Sequence, residues 1–177
     1  MEDWIIIDKI DIKDIKPFVK KHIKKQNKLS LEYKSTVGNK SSQYDLFNQI
    51  KNSSILNLIK SKVIDSFFRI KNKKINIELT HSWTVIGHKD SYHKLHKHCI
   101  NLETNKLCSV IYLHTPKKSK GENGNFYCVF KKNNKIEYFS YKPKVGDIII
   151  FPVWLFHGVY PQDLGTRQSL NLDFVVV

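Results

Sequence analysis

After about residue 75 the sequence breaks into short runs of β-branched and aromatic residues: INIELTHSWTVI, LCSVIYLH, NFYCVF, KIEYFSY, DIIIF and SLNLDFVVV, separated by Gly, Pro, Asn and Lys. Residues that are stiff at χ1 pack well on a pleated surface, so such runs read as strands, and their close spacing predicts an antiparallel sandwich or barrel. The preceding part has a different period. Leu46, Ile50, Ile55, Leu58, Ile59, Val63, Ile64 and Phe67 fall at helical spacing among Lys, Asn and Ser, which predicts amphipathic helices. The 177 residues therefore read as one α+β domain, with residues 1–80 as mainly helical support packed on a jelly-roll-like core at 81–177. The small polar stretch KSTVGNKSS, residues 34–42, reads as a loop whose Ser41 or Ser42 caps the next helix.

Composition adds mainly exclusions. The formal net charge is +14, and all the basic residues but Arg69 and Arg167 are lysine. Lysine, asparagine and isoleucine recur throughout, as in an AT-rich coding sequence, so the charge says little about partners. Cys99, Cys108 and Cys128 have no CxxC spacing and cannot pair completely, which argues against a disulfide scaffold or a cysteine zinc knuckle and for a reducing, cytoplasmic setting. No apolar run approaches the ~18 residues that span a bilayer, and the start MEDWIIIDKID lacks the basic region of a secretion signal.

Histidine is clustered. His81, His88, His93, His96 and His98 share one short window, and His157 stands far downstream, after the apolar run DIIIFPVWLF. Two side chains two residues apart on a strand project from the same face, so His96 and His98 can converge on one ion, with His157 completing the set from a neighbouring strand. Three imidazoles on one side of an ion leave open positions, as in catalytic non-haem iron sites. Arg167 opens the last strand run. An unpaired charge between apolar strands is expensive, so a guanidinium there needs an anion, and a carboxylate gripped at two points suits arginine where lysine would not serve.

The series HKH at 96–98, SVIYL at 109–113, GD at 146–147, FPVWLFHGV at 151–159 and RQS at 167–169 resembles the 2-oxoglutarate and Fe(II)-dependent oxygenases, most of all a small subgroup with HxH in the first ligand strand. The resemblance runs from Trp83 to Val177. It implies a double-stranded β-helix, an iron site at His96, His98 and His157, and a 2-oxoglutarate site in which Arg167 and Ser169 hold the distal carboxylate, with Tyr112 and Asn171 as further contacts. It also implies the reaction: O2 and 2-oxoglutarate are consumed, succinate and CO2 are released, and a C–H bond of a substrate is hydroxylated. Most of that superfamily has Asp or Glu where His98 stands.

Other readings remain open at this stage. HKD at 88–90 satisfies an HxD pattern, so His88 and Asp90 compete for the metal. A cupin-like three-histidine protein, either a dioxygenase that needs no 2-oxoglutarate or a non-catalytic metal-binding barrel, explains His98 but not Arg167. The lysine groups at 20, 21, 24 and 25, at 71, 73 and 74, and at 117, 118 and 120 could hold nucleic acid, although a solvated face explains them better. Trp83, Phe151 and Trp154 read as core or pocket wall, Cys99 as a small core residue, and the turns at 86–94 and 115–124 as the mouth where an unidentified small-molecule or side-chain substrate would be selected.

Overall fold

Ile148, Ile149, Ile150 and Phe151 alternate between two separate cores, and that alternation organises the molecule. A strand apolar on both faces must be covered on both. The computed structural model describes residues 4–24, 41–99, 104–116 and 119–177. Its elements are β1 (Ile6–Lys9), α1 (Ile15–Ile23), β2 (Ser41–Asp45), α2 (Phe47–Ile50), α3 (Ser54–Lys71), β3 (Ile77–Gly87), β4 (His93–His96), β5 (Lys106–His114), β6 (Phe126–Lys132), β7 (Lys135–Tyr141), β8 (Asp147–Pro152), β9 (Phe156–Val159) and β10 (Arg167–Val176).

The strands form a larger sheet in the order β1-β8-β5-β10-β3-β2 and a smaller one in the order β4-β9-β6-β7, with every pairing antiparallel. From β3 onward the chain winds back and forth between the two sheets, which makes a double-stranded β-helix. One core, with Ile149, Phe151, Val110, Tyr112, Phe126 and Cys128, fills the space between the sheets. The other lies under the helices, where Ile59 and Val63 of α3 and Ile15 and Val19 of α1 pack with Ile148, Ile150, Leu170 and Leu172 of the larger sheet. Each fully buried aliphatic side chain of this kind contributes roughly 1.5–3 kcal/mol.

Local chemistry fixes the helix ends. Ser53 caps α3 by accepting a hydrogen bond from the Leu56 N–H at 3.3 Å, and Asn72 ends it in the left-handed region at φ 50°. Pro17 sits in the first turn of α1, where its missing N–H leaves no ladder bond broken. Asp8 of β1 ties the sheet edge to α3 through Ser66 Oγ at 2.6 Å, Lys62 Nζ at 2.7 Å and the Arg69 guanidinium.

Two expectations for the first part of the chain are corrected. Residues 4–9 and 41–45 are not helical support; β1 and β2 extend the larger sheet at its two edges. Ser41 and Ser42 therefore pair with Gly87 and Ile86 of β3 and cap no helix, because edge pairing satisfies backbone groups that helical spacing alone does not account for. The rest of the expected loop at 34–40, and lysines 25, 117 and 118, lie outside the described residues. Cys99, Cys108 and Cys128 are buried. Among the described residues no helix is long and apolar enough to cross a membrane.

Candidate active site

Side chains two apart on a strand share a face, so Arg167, Ser169, Asn171 and Asp173 of β10 all turn into the space between the sheets, while Leu170, Leu172 and Phe174 turn to the helices. The first set lines a cavity of about 640 Å³. Tyr112 of β5, next to β10 in the larger sheet, lines it too, and His96, His98 and His157 enter it from the opposite side. The pairing of β4 with β9 sets His96 directly opposite His157, and His98 follows two residues past the end of β4. One ring nitrogen from each of the three lies within 4.8 Å of the others.

The rings are held in one orientation. Nδ1 of His96 meets the Lys94 carbonyl at 2.7 Å, Nδ1 of His157 the Leu155 carbonyl at 2.9 Å, and Nδ1 of His98 the Asp173 carboxylate at 3.0 and 3.2 Å. Each partner is an acceptor, so each Nδ1 carries the proton and each Nε2 keeps its lone pair for a ligand. Burial, reinforced by His98 and His96, holds His157 well below the usual histidine range. Burial brings His96 down to about 4, against the opposing pull of the Lys94 carbonyl. Neutral imidazoles sharing a tautomer are the form that binds a transition metal, and nitrogen donors suit iron.

On the larger sheet, lining the same cavity, Arg167 is 3% exposed, and among the described residues neither Nη1 nor Nη2 has a hydrogen-bond partner. Burial lowers its pKa, with Tyr112 opposing. A guanidinium in that position is shaped for an anion. Ser169 pairs in register with Tyr112, and Asn171 donates to the Trp83 carbonyl at 3.3 Å. The residues present thus fit a metal at the histidines and a small dicarboxylate reaching to Arg167.

His88 and Asp90 are not brought to this cavity. His88 is exposed against Thr166, and Asp90 sits in the turn after β3 at φ 65°, its N–H on the Gln162 carbonyl. Trp83 lines the cavity, Phe151 packs 4.6 Å from the His157 ring, and Trp154 lies instead against Trp4. The expected mouth is also corrected. Of the turn at 86–94 only His93 lines the cavity, and no described residue of 115–124 does. Asp45 and His81, both exposed, stand at the rim, because β2 pairs with β3 and carries the chain past the opening.

Beyond the rim, Asp173 and His93 were given no role at the site by the sequence reading. Asp173 could have been found by counting in twos along the strand from Arg167. His93 could not, because its place beside the cavity depends on an irregularity in the β4–β9 register between His93 and His96, which no residue pattern announces.

A jelly roll that gathers three imidazoles and, among the described residues, a guanidinium without a hydrogen-bond partner around one cavity has the layout of a metal-dependent oxygenase. Residues 81–173 match the family described as "Putative 2OG-Fe(II) oxygenase", and the chain belongs to that family of enzymes, which use Fe(II), 2-oxoglutarate and O2. No curated protein matches the chain. Among solved structures it is similar to a Pseudomonas putida prolyl-4-hydroxylase (TM-score 0.64, 9% identity, covering 97% of this chain and 91% of that one). It is similar also to a viral collagen prolyl hydroxylase from Paramecium Bursaria Chlorella virus-1 in a 2OG complex (0.58, 17%, 97% of each). A 2OG-Fe(II) oxygenase family oxidoreductase from Burkholderia pseudomallei matches at 0.52 and 18% over 69% of this chain, which spans about half of that protein, 55%. At these identities the likeness is one of fold.

Proposed function

We propose that the enzyme hydroxylates a substrate C–H bond, with iron held by Nε2 of His96, His98 and His157 and 2-oxoglutarate held by Arg167 and Ser169, Tyr112 and Asn171 being further contacts. The observation that carries this reading is the pairing of three oriented imidazoles with a buried guanidinium that, among the described residues, lacks a hydrogen-bond partner in the same cavity. Bound there, Fe(II) supplies the site at which O2 and 2-oxoglutarate react, giving succinate, CO2 and the hydroxylated product. The chain's own residues do the rest. Arg167 and Ser169 grip the distal carboxylate, which fixes the reach of the co-substrate. Phe126 and Phe151 wall the His157 side and keep water from it.

The substrate approaches past the rim at Asp45 and His81. The structural neighbours include a prolyl-4-hydroxylase and a collagen prolyl hydroxylase, and a side chain presented by a peptide is the substrate class we favour. Succinate release from 2-oxoglutarate with Fe(II) and ascorbate tests the proposal. Turnover that is lost in His157→Ala supports it; wild-type protein that neither binds nor consumes 2-oxoglutarate overturns it and favours the cupin-like alternative.

A further inference from the structure

We propose that Asp173 is the positioning residue of the metal centre: through His98 it decides which ring nitrogen faces the ion, and it supplies the negative charge that three imidazoles lack. This rests on the reading of His96, His98 and His157 as ligands.

The geometry is specific to His98. His96 and His157 each turn Nδ1 onto a backbone carbonyl, whereas His98 turns Nδ1 onto a carboxylate that it reaches with both oxygens, at 3.0 and 3.2 Å. The two side chains are 10% and 11% exposed, so water screens the contact little. Asp173 is itself held on a strand paired on both sides, by β3 and β5, and Thr80 Oγ1 donates to its backbone carbonyl at 3.0 Å. A carboxylate fixed this way orients the imidazole and raises its basicity toward a cation.

Charge points the same way. Among the described residues lining the cavity only Asp45 and Asp173 are acidic, and Asp45 is exposed at the rim. A divalent cation, a dianionic co-substrate and the Arg167 guanidinium leave one positive charge that the Asp173 carboxylate offsets, and half-buried Lys97 on the same lining adds another. Without Asp173 the closed site would carry an uncompensated positive charge, which is costly in a buried place.

The test uses the full-length chain. Co(II) is titrated into metal-free wild type and Asp173→Asn, and His98 is followed by long-range ¹⁵N–¹H NMR in the Zn(II)-loaded wild type. The expected results are a 10- to 100-fold weaker Co(II) affinity in Asp173→Asn with an unchanged metal-free melting temperature, and a His98 ring that coordinates through Nε2 while Nδ1 keeps its proton. Affinity within threefold of wild type overturns the proposal, as does coordination of His98 through Nδ1. A thiolate-to-Co(II) charge-transfer band also overturns it, since that would put the ion at the adjacent trio of His98, Cys108 and Asp173. If the variant does not fold, the wild-type NMR decides alone. A separate failure is recognisable: if His157→Ala binds Co(II) as tightly as wild type, the three-histidine site itself is wrong and Asp173 loses its role with it.

Discussion

His96 and His157 are register partners across the β4–β9 pair, their ring centroids 4.4 Å apart, and each sends its Nδ1 to the carbonyl two residues earlier in the sequence, Lys94 and Leu155. The two halves of the contact are near copies, so they should matter alike for the ion. Substituting either with alanine is expected to lower metal affinity and succinate production by at least about 100-fold. Their structural consequences should differ. His157 is 5% exposed between Phe126 and Phe151 and leaves a cavity when truncated, whereas His96 lies nearer the opening. Thermal melts of the two metal-free variants should therefore separate, with His157→Ala the lower. Equal turnover in wild type and either variant would remove these rings from the site.

The neutral histidines also set a pH window. In the unfolded chain a histidine titrates near 6.5, while burial brings His96 down to about 4 and holds His157 and His93 well below that ordinary value. Between those values the unfolded state binds more protons than the folded one, so stability rises with pH across the window and falls as pH is lowered through it. His96 alone accounts for up to roughly 3 kcal/mol, reached only as pH nears 4. Asp8, whose carboxyl is held low by Lys62 and Ser66 against the opposing effect of burial, contributes stability that is lost only below the ordinary carboxylate range. Denaturant melts of the metal-free protein should thus weaken already between pH 6.5 and 4.5, and His96→Asn should flatten part of that slope. A flat profile down to pH 4.5 would mean the histidines titrate normally.

How much of this could be read from residues alone depends on the period of each segment. The later strands were legible because β-branched runs bounded by turn residues admit little else, and the HxH, the distant His157 and the lone Arg167 pointed to one centre. β1 was hidden because Ile5, Ile6, Ile7 and Ile10 fit a helical stripe as readily as a strand, and only Ile150 and Ile149 of β8, opposite Ile6 and Ile7, decide between them. β2, SSQYD, has the composition of a loop; its strand form comes from pairing with β3. The rim at Asp45 was lost for the same reason. Long-range pairing overrides local propensity at sheet edges.

Gly158 follows His157 in the crowded middle of the smaller sheet. A Cβ there would sit 2.6 Å from the Tyr127 ring and 2.9 Å from the His93 carbonyl oxygen. The oxygen belongs to backbone of the paired strand β4, so it cannot swing aside as a side-chain tip can. Gly158→Ala should push β4 away from β9 and spread His96 from His157. Overpacking of this sort costs about 1–3 kcal/mol, and metal affinity should fall by more than the stability loss explains. A variant with wild-type melting temperature and wild-type Co(II) affinity would show that the strands yield freely.

Arg167 trades stability for binding, and the two can be measured apart. Buried without a partner among the described residues, its guanidinium is a cost to the empty protein that an anion removes. Replacing it with methionine keeps much of the volume and discards the charge, so metal-free, co-substrate-free Arg167→Met should melt higher than wild type, by about 1–3 kcal/mol of stability. The same variant should lose about 100- to 5,000-fold in 2-oxoglutarate affinity, the equivalent of roughly 3–5 kcal/mol for a buried charge pair broken on one side. Lysine should recover only part of this, because a point charge on a flexible stem does not reproduce a planar two-point grip. Calorimetric titration and thermal melts of the three proteins suffice. A destabilised Arg167→Met that still binds 2-oxoglutarate normally would mean the guanidinium serves the fold rather than the co-substrate.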